Sequence, residues 1–482
     1  MRSPRGAAWI FLVAGVVLSG AAIRARAVSG ASLSPPARLI FAGDILLSRG
    51  VARRLGWAPR ALARALQPTL ERADWTEGNL EGAVGEESDC APAAPGSPCF
   101  ATPARLIPLL AGAGFKAIGV ENNHGADLGA KGILETRAAL EASGIAPLSF
   151  DESPRFVAFE GFTLGVVALS LVPGRDGRSV AVPSPDLRRK LRLARNLSNL
   201  VVVTIHWGSE LLDWPDAKQR RAAAWLIENG ADIIIGAHPH VVQNPECLAG
   251  RPVFYSLGNL VFDQAYPDAR EGLLADCGVS GGEVRCAGIS TRTPADSVFP
   301  EVGGPAAEAG KVLSGCAFPL SPGLTVNGLT LKPRAGKRSG SGLVLEASRE
   351  GKTLWRTHPI GLVSAEAMKI PDAGGSGCLF TLEEHYSPLD GVKALRPYVY
   401  AVRDDGLAPR WRGTALAWPL VDAALLPGEE GILCALHRGD SFLAPGTGAA
   451  REGRVAAYRW KGFGFAGVDD PGIIDRCRNC FR

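Results

Sequence analysis

A second long apolar segment is missing from this sequence. Beyond the run from Ala7 to about Ile23, nothing approaches the length needed to cross a bilayer, so membrane contact is confined to the N-terminus. A strong charge of one sign is missing too. The formal net charge is +4 over 482 residues and no long basic run occurs, which argues against a nucleic-acid groove and gives no acidic-polymer track. Nor does a cysteine follow the apolar run at a lipoprotein-like position. What is present is a 46% hydrophobic chain long enough for two or three domains with a large core.

Arg2 and Arg5 precede the apolar run, and Ala25-Arg26-Ala27 offers small residues for cleavage. Residues 1–27 read as a secretory signal peptide or as an uncleaved signal anchor, with 28–36 as a linker. Either way the body of the chain is expected to be extracytoplasmic, periplasmic or secreted. All ten cysteines lie beyond this segment, as suits an oxidising compartment. Cys90/Cys99 and Cys277/Cys286 each bracket a short turn-forming stretch and predict two local disulfides. Cys247, Cys316, Cys378 and Cys434 have no evident partner. Cys477-Arg478-Asn479-Cys480 lacks the second CxxC of a zinc knuckle.

Histidine is scarce, with seven in the chain, and four of them precede residue 241. Val201–Ile205 and Asp232–Ile235 are short β-branched runs that read as buried strands, each stopping at a histidine-bearing segment. Between them a helix is expected over Asp216–Asn229, with Asp213 as cap, Pro215 in the first turn and Gly230 as the stop. In an open α/β sheet, ligands collect at the carboxyl ends of parallel strands, which is where His206, His238 and His240 would stand. A lone histidine is more often a hydrogen-bonded core residue than a ligand. Three that converge on one sheet end favour a metal or phosphate site.

The rest of the first half repeats this strand–helix alternation. Arg38–Ala42 is expected to be a strand ending at Gly43-Asp44, with helices over Pro59–Arg72, Pro103–Ala113 and Ala130–Ala142 and a strand over Phe115–Val120. Asn122, Asn123, His124 and Asp127 follow that strand in one loop, a suitable set for a metal ligand beside a proton donor. Phe156–Phe159 and Phe162–Ser170 read as a strand pair, and Pro185–Asn196 as a basic helix with a solvated arginine face. Pro252–Leu257 is one more strand, followed by Asn259, Asp263 and Gln264 in a loop that closes a pocket. Beyond Glu271 helix signals fade, and the C-terminal part reads as β-rich. Two stretches there, LRPYVYAVRDDGLAPRWRG and REGRVAAYRWKGFGFAG, share an order that suggests blade-like repeats, although a sandwich fits as well.

GDILLSRGV, EGNLEGAV, VENNHGADLGAKG, TIHWGSE, GADIIIGAHPHVVQ and FYSLGNLVFDQ, in this order, resemble the CapA family of bacterial capsule and poly-γ-glutamate biosynthesis proteins. The resemblance covers roughly residues 37–290 and leaves 291–482 as a β-rich domain of unknown role. It implies an α/β fold of calcineurin-like metallophosphoesterase type, a double-layered β-sandwich flanked by helices, with divalent metal at the strand ends. Carried over by motif, Asp44, Glu81, Asn123, His206, His238 and His240 would be metal ligands and His124 the proton donor. Asn79, Asn122, Asp127, Glu210, Asn259, Asp263 and Gln264 would line the pocket. The chain departs from the phosphoesterase pattern in having Leu46 where a histidine usually follows the first aspartate, and Glu81 in place of a bridging aspartate. The expectation is therefore one tight divalent ion, shared by Glu81, Asn123, His206 and His238, and a weaker second one on Asp44, Glu81 and His240; Mn, Zn, Fe and Mg are not distinguished. The implied partner is an envelope polymer or its synthesis machinery, with the protein acting either as a metal-dependent hydrolase or as a non-catalytic binding component.

Overall fold

The computed structural model describes residues 36–90, 98–335, 342–370, 377–386, 393–413, 416, 420–437 and 453–481. The expected signal segment 1–27 and nearly all of the linker lie outside these residues. Among the described residues no helix is long and apolar enough to cross a membrane.

The first half is built as β1 (Ala37–Ile45), α1 (Arg49–Trp57), α2 (Arg60–Leu70), β2 (Trp75–Leu80), β3 (Ala83–Val84), β4 (Ala101–Thr102), α3 (Ile107–Ala113), β5 (Ala117–Gly119), α4 (Gly129–Ala142), β6 (Ala146–Leu148), β7 (Arg155–Ala158) and β8 (Thr163–Ser170). It continues through α5 (Pro185–Leu197), β9 (Leu200–His206), α6 (Ala217–Glu228), β10 (Ile233–Ala237), β11 (Val242–Gln243), β12 (Glu246–Leu248), β13 (Arg251–Phe254), β14 (Ser256–Leu257) and β15 (Asn259–Val261) to the hairpin β16 (Glu271–Ser280) and β17 (Glu283–Arg292). One sheet runs β17-β16-β1-β2-β5-β6, with β1, β2, β5 and β6 parallel and β15 beside the end of β1. The other runs β12-β13-β10-β9-β8-β7, parallel at its centre and antiparallel at both edges. This is a mixed α/β architecture.

Strand alternation explains the layers. In β1, Leu39 and Phe41 point to one apolar cluster while Ile40 and Ala42 point to another; in β9, Leu200 and Val202 part from Val201 and Val203 in the same way. Leu39, Phe41 and Ala275 meet Leu164, Val166, Val202 and Ile233, so the two sheets pack face to face. α1–α4 cover the outer face of the first sheet with Leu55, Leu62, Leu66, Leu110 and Leu140. α5 and α6 cover the second with Leu187, Leu191, Ala223 and Leu226. Each such leucine, fully buried, contributes about 1.5–3 kcal/mol. The helix between the two histidine strands is capped one turn later than expected: Asp216, not Asp213, accepts from the amides of Lys218 and Gln219, in a capping box with Gln219.

The expected boundary at residue 290 falls inside β17. The chain stays on the first sheet through β18 (Glu301–Pro305), α7 (Ala307–Leu313) and β19 (Phe318–Pro319), with β18 and β19 both pairing with β17. Three four-stranded antiparallel sheets follow: β20 (Thr325–Val326) to β23 (Lys352–Arg356) through β21 (Leu329–Ala335) and β22 (Leu343–Arg349); β24 (Leu362–Lys369) to β27 (Gly406–Arg412) through β25 (Gly377–Tyr386) and β26 (Lys393–Arg403); and β28 (Leu420–Leu425) to β31 (Phe465–Val468) through β29 (Ile432–His437) and β30 (Arg454–Trp460). The helix α8 (Pro471–Asn479) ends the described chain. The two similar sequence stretches are the last two strands of the second and third sheets.

The arginine face of α5 is not solvated. Arg189 donates to the Val421 carbonyl at 2.9 Å, Arg192 pairs with Asp422, and Arg195 pairs with Asp232. The first two tie the α/β half to the C-terminal sheets. Phe156, Leu193 and Leu197 add apolar contact with Leu329, Leu331 and Leu345.

Cys90–Cys99 and Cys277–Cys286 are bonded as the spacing predicted, and Cys247–Cys316 and Cys434–Cys477 complete the set, leaving Cys378 and Cys480 as thiols. A non-reducing peptide map of protein exported to an oxidising compartment should return these four cross-linked pairs and two alkylatable cysteines; free thiols at Cys90, Cys99, Cys277 and Cys286 would refute the assignment.

Candidate metal centre

Parallel strands of both sheets end at one edge, and each delivers polar side chains there. Register places Asp44 at the end of β1 opposite Asn79 of β2 on one side and Asn259 of β15 on the other. This row needs β1 and the 256–259 segment to approach closely. A Cβ on Gly43 would come within 1.9 Å of the Gly258 carbonyl oxygen, so only glycine admits the hydrogen bond from the Asp44 amide to that oxygen at 3.0 Å. On the facing sheet His206 ends β9 opposite Ala237 of β10, and the next turn carries His238 and His240. Both have positive φ, 99° and 61°, a conformation that non-glycine residues adopt at a cost and that marks constrained functional turns.

The side chains interlock. Asp44, 0% exposed, accepts from Asn79 Nδ2 at 2.8 Å and from the His238 amide at 3.1 Å, and its Oδ2 lies 3.3 Å from His240 Nδ1. Asn122 donates to Asn79 Oδ1 and to the Leu80 carbonyl. Asn123 Oδ1 sits 2.8 Å from His206 Nε2, while Asn79 stands 3.4 Å from His206 Nδ1. Asn259 Oδ1 meets His240 Nδ1 at 3.0 Å and is held in turn by Gln264. Asp263 turns away from the imidazoles to Arg49 and the Gly50 amide. Glu210 is exposed at the rim and acts through its charge.

Glu81, 1% exposed, is the centre of this group. Its Oε1 lies 3.5 Å from His240 Nε2 and 3.8 Å from His124 Nε2. Among the described residues its Oε2 is buried without a hydrogen-bond partner, and so is His238 Nδ1. Candidate ligand atoms of Glu81, His238 and His240 lie within 4.8 Å of one another. Two unpartnered polar atoms in a buried carboxyl–imidazole group are costly unless a cation meets them, and oxygen plus nitrogen ligands suit a divalent ion of borderline hardness. The compact triad is thus Glu81, His238 and His240; His206 and Asn123, expected beside Glu81 and His238, are bonded to each other next to it. Leu46 is fully buried in the apolar core beneath the helices, so no ligand is supplied from that position.

Electrostatics agree with this arrangement. Burial, with Asp44 and Glu210 adding repulsion and His240 opposing, pushes the Glu81 carboxyl up to about 8. Burial and the neighbouring His240 hold His238 down to about 4, and burial with the nearby imidazoles lowers His206 well below its usual value. Both are therefore neutral at pH 7, and His206 places its proton on Nε2, toward Asn123 Oδ1. Burial disfavours charge on His240 as well, but Glu81 and Asp44 outweigh it and raise His240 to about 9. Without metal, the Glu81–His240 pair retains protons that a cation must displace.

His124 stands apart from the triad. Its Nδ1 meets Asp127 Oδ2 at 2.8 Å, and Asp127 also accepts from the Phe100 amide and pairs with Arg175 at 3.2 Å. The imidazole is held with Nε2 toward Glu81 and lies against the Phe100 ring, 4.0 Å between centroids. Phe100, Phe262, Arg49 and Arg175 belong to the site yet carried no sequence signal beyond Arg49 lying in the GDILLSRGV motif and Phe262 in FYSLGNLVFDQ.

Residues 38–264 match the family model described as "Bacterial capsule synthesis protein PGA_cap". The chain is 28% identical over 255 residues to the "Capsule biosynthesis protein CapA" of Bacillus anthracis, covering 49% of this chain and 62% of that one. It is 27% identical over 249 residues to the "PGA biosynthesis protein CapA" of Bacillus subtilis (strain 168), covering 48% and 65%. The match thus spans under two thirds of either relative.

Two outcomes are expected. Divalent-metal binding at pH 7 should release protons, and affinity should rise from pH 6 to pH 9 as the Glu81–His240 pair gives up its protons; calorimetry in buffers of different ionisation enthalpy measures both. Leu46→His should cost roughly 1–3 kcal/mol in urea denaturation, the penalty of a buried polar group, without adding a second tight ion by elemental analysis.

Proposed function

Since residues 38–264 belong to the bacterial capsule synthesis protein family, we propose that the protein is an extracytoplasmic, metal-dependent hydrolase acting on a phosphoester or amide of a capsule or poly-γ-glutamate-like envelope polymer. The observation that carries this reading is the pairing of a buried, partly orphaned Glu81–His238–His240 cluster with a separately held imidazole, His124, facing it. Helix-flanked sheets packed face to face, with the cluster at their parallel strand ends, support a metallophosphoesterase-like sandwich. Four disulfides support an oxidising compartment.

A divalent ion held by Glu81, His238 and His240, with Asp44 and the His206–Asn123 pair beside it, would lower the pKa of a water and neutralise charge on the attacked group. The chain supplies the rest. Asp44 is locked by Asn79 and the His238 amide, so its carboxylate orients without reorganisation. His124, held through Nδ1 by Asp127, donates its proton from Nε2 to the leaving group.

The buried Leu46 favours a second reading, in which the ion is structural and the protein binds polymer or a partner through the C-terminal sheets. His124→Ala separates the two. On the hydrolase reading it leaves metal content intact and lowers turnover of phosphoester or γ-glutamyl substrates by about 10²–10⁴; unchanged polymer assembly in cells carrying this variant would rule that reading out.

A further inference from the structure

Arg49 lies outside every role assigned above. It has a φ of 49°, opens α1, and projects its guanidinium over the two aromatic rings that back the centre: Cζ is 4.6 Å from the Phe100 centroid and 5.9 Å from that of Phe262. Phe100 packs on His124, and Phe262 packs on His240 at 4.8 Å. Asp263 takes Nη2 with one oxygen and the Gly50 amide with the other, at 3.1 Å, which fixes the plane of the guanidinium. Among the described residues no hydrogen bond engages Nε or Nη1, and the side chain is 41% exposed. Arg49 charge reaches Glu81, whose ionisation it favours.

From this geometry we infer that Arg49 is an oxyanion-binding residue of the centre, holding a phosphoryl or carboxylate group of the substrate against the Phe100–Phe262 floor. A guanidinium held over an aromatic ring and pinned at one nitrogen presents its remaining donors in one plane, the arrangement that grips a two-oxygen acceptor. Contact with the two edge-to-face rings, whose planes stand 81° apart, also removes rotamers that the side chain would otherwise lose on binding. The inference rests on reading the neighbouring cluster as a metal centre, and it narrows the substrate to one with an anionic group close to the bond that is cut.

Inorganic phosphate and glutarate serve as tetrahedral and planar probes, titrated calorimetrically into metal-loaded wild type, Arg49→Ala and Arg49→Lys, with metal content and Tm recorded for each. Loss of Arg49 should weaken the preferred anion roughly 10- to 100-fold, as expected for a charged hydrogen bond, without changing metal content. Arg49→Lys should retain the fold and fall between the two, because a point charge lacks the fork. Stronger binding of phosphate identifies a phosphoryl group, and stronger binding of glutarate a carboxylate. Equal affinity in wild type and both variants overturns the assignment, as does a metal-containing wild type that binds neither anion. Wild type without metal would defeat the metal reading alone, and the Arg49-dependence of anion binding would still decide this one.

Discussion

Two carboxylates, Asp44 and Glu81, are withdrawn almost completely from water at the meeting edge of two sheets, and the surrounding structure answers that burial. An isolated buried carboxylate costs far more than a domain has to spare, so it must be neutralised, hydrogen-bonded or met by a cation. Asp44 is satisfied by a side-chain amide and a backbone amide. Glu81 has only imidazoles near one oxygen, and among the described residues its other oxygen has no hydrogen-bond partner. The positive φ of His238 and His240, the asparagines paired with His206 and His240, and the glycine that lets the 258 loop close on β1 all serve this pair of carboxyl groups.

The same logic applies where the C-terminal sheets join. Asp422 and Glu366 are both raised by burial and both opposed by Arg192 of α5. A buried ion pair contributes little net stability, but leaving one partner alone is strongly unfavourable, so such a contact specifies which surface docks more than it strengthens the docking. The C-terminal sheets are in this way registered against the α/β half, alongside apolar contact through Leu193 and Leu197.

Much of this was legible in the sequence because the signals are local. β-branched runs ending at histidines, a helix stop at Gly230 and alternating strands and helices give the α/β half, and short loops between cysteines give two disulfides. What was not legible depends on contacts between distant segments. Nothing near Asp44 says that Asn79 and Asn259 flank it, nor does anything near Cys247 point to Cys316. The arginines of α5 read as solvated because a polar helix face is usually wet, and only the later sheets reveal what covers it. Leu46 shows the converse: its position relative to Asp44 suggested a vacant ligand place, whereas its side chain belongs to an apolar core. Chain spacing could not show that His206 pairs with Asn123 beside the triad.

The bond between Cys247 and Cys316 closes a loop with a sequence separation of 69 that runs from the edge of the second sheet around to the end of α7. In chain-entropy terms a loop of this size is worth on the order of 4 kcal/mol. It also makes the segment topologically circular. Asn259 and Gln264, which brace His240, lie within the ring, as do the exposed Ala265 and Tyr266. A protease that cuts at that exposed tip opens the ring without releasing either piece, because each end remains tethered by sulfur. One cut would leave a two-chain molecule still covalently whole.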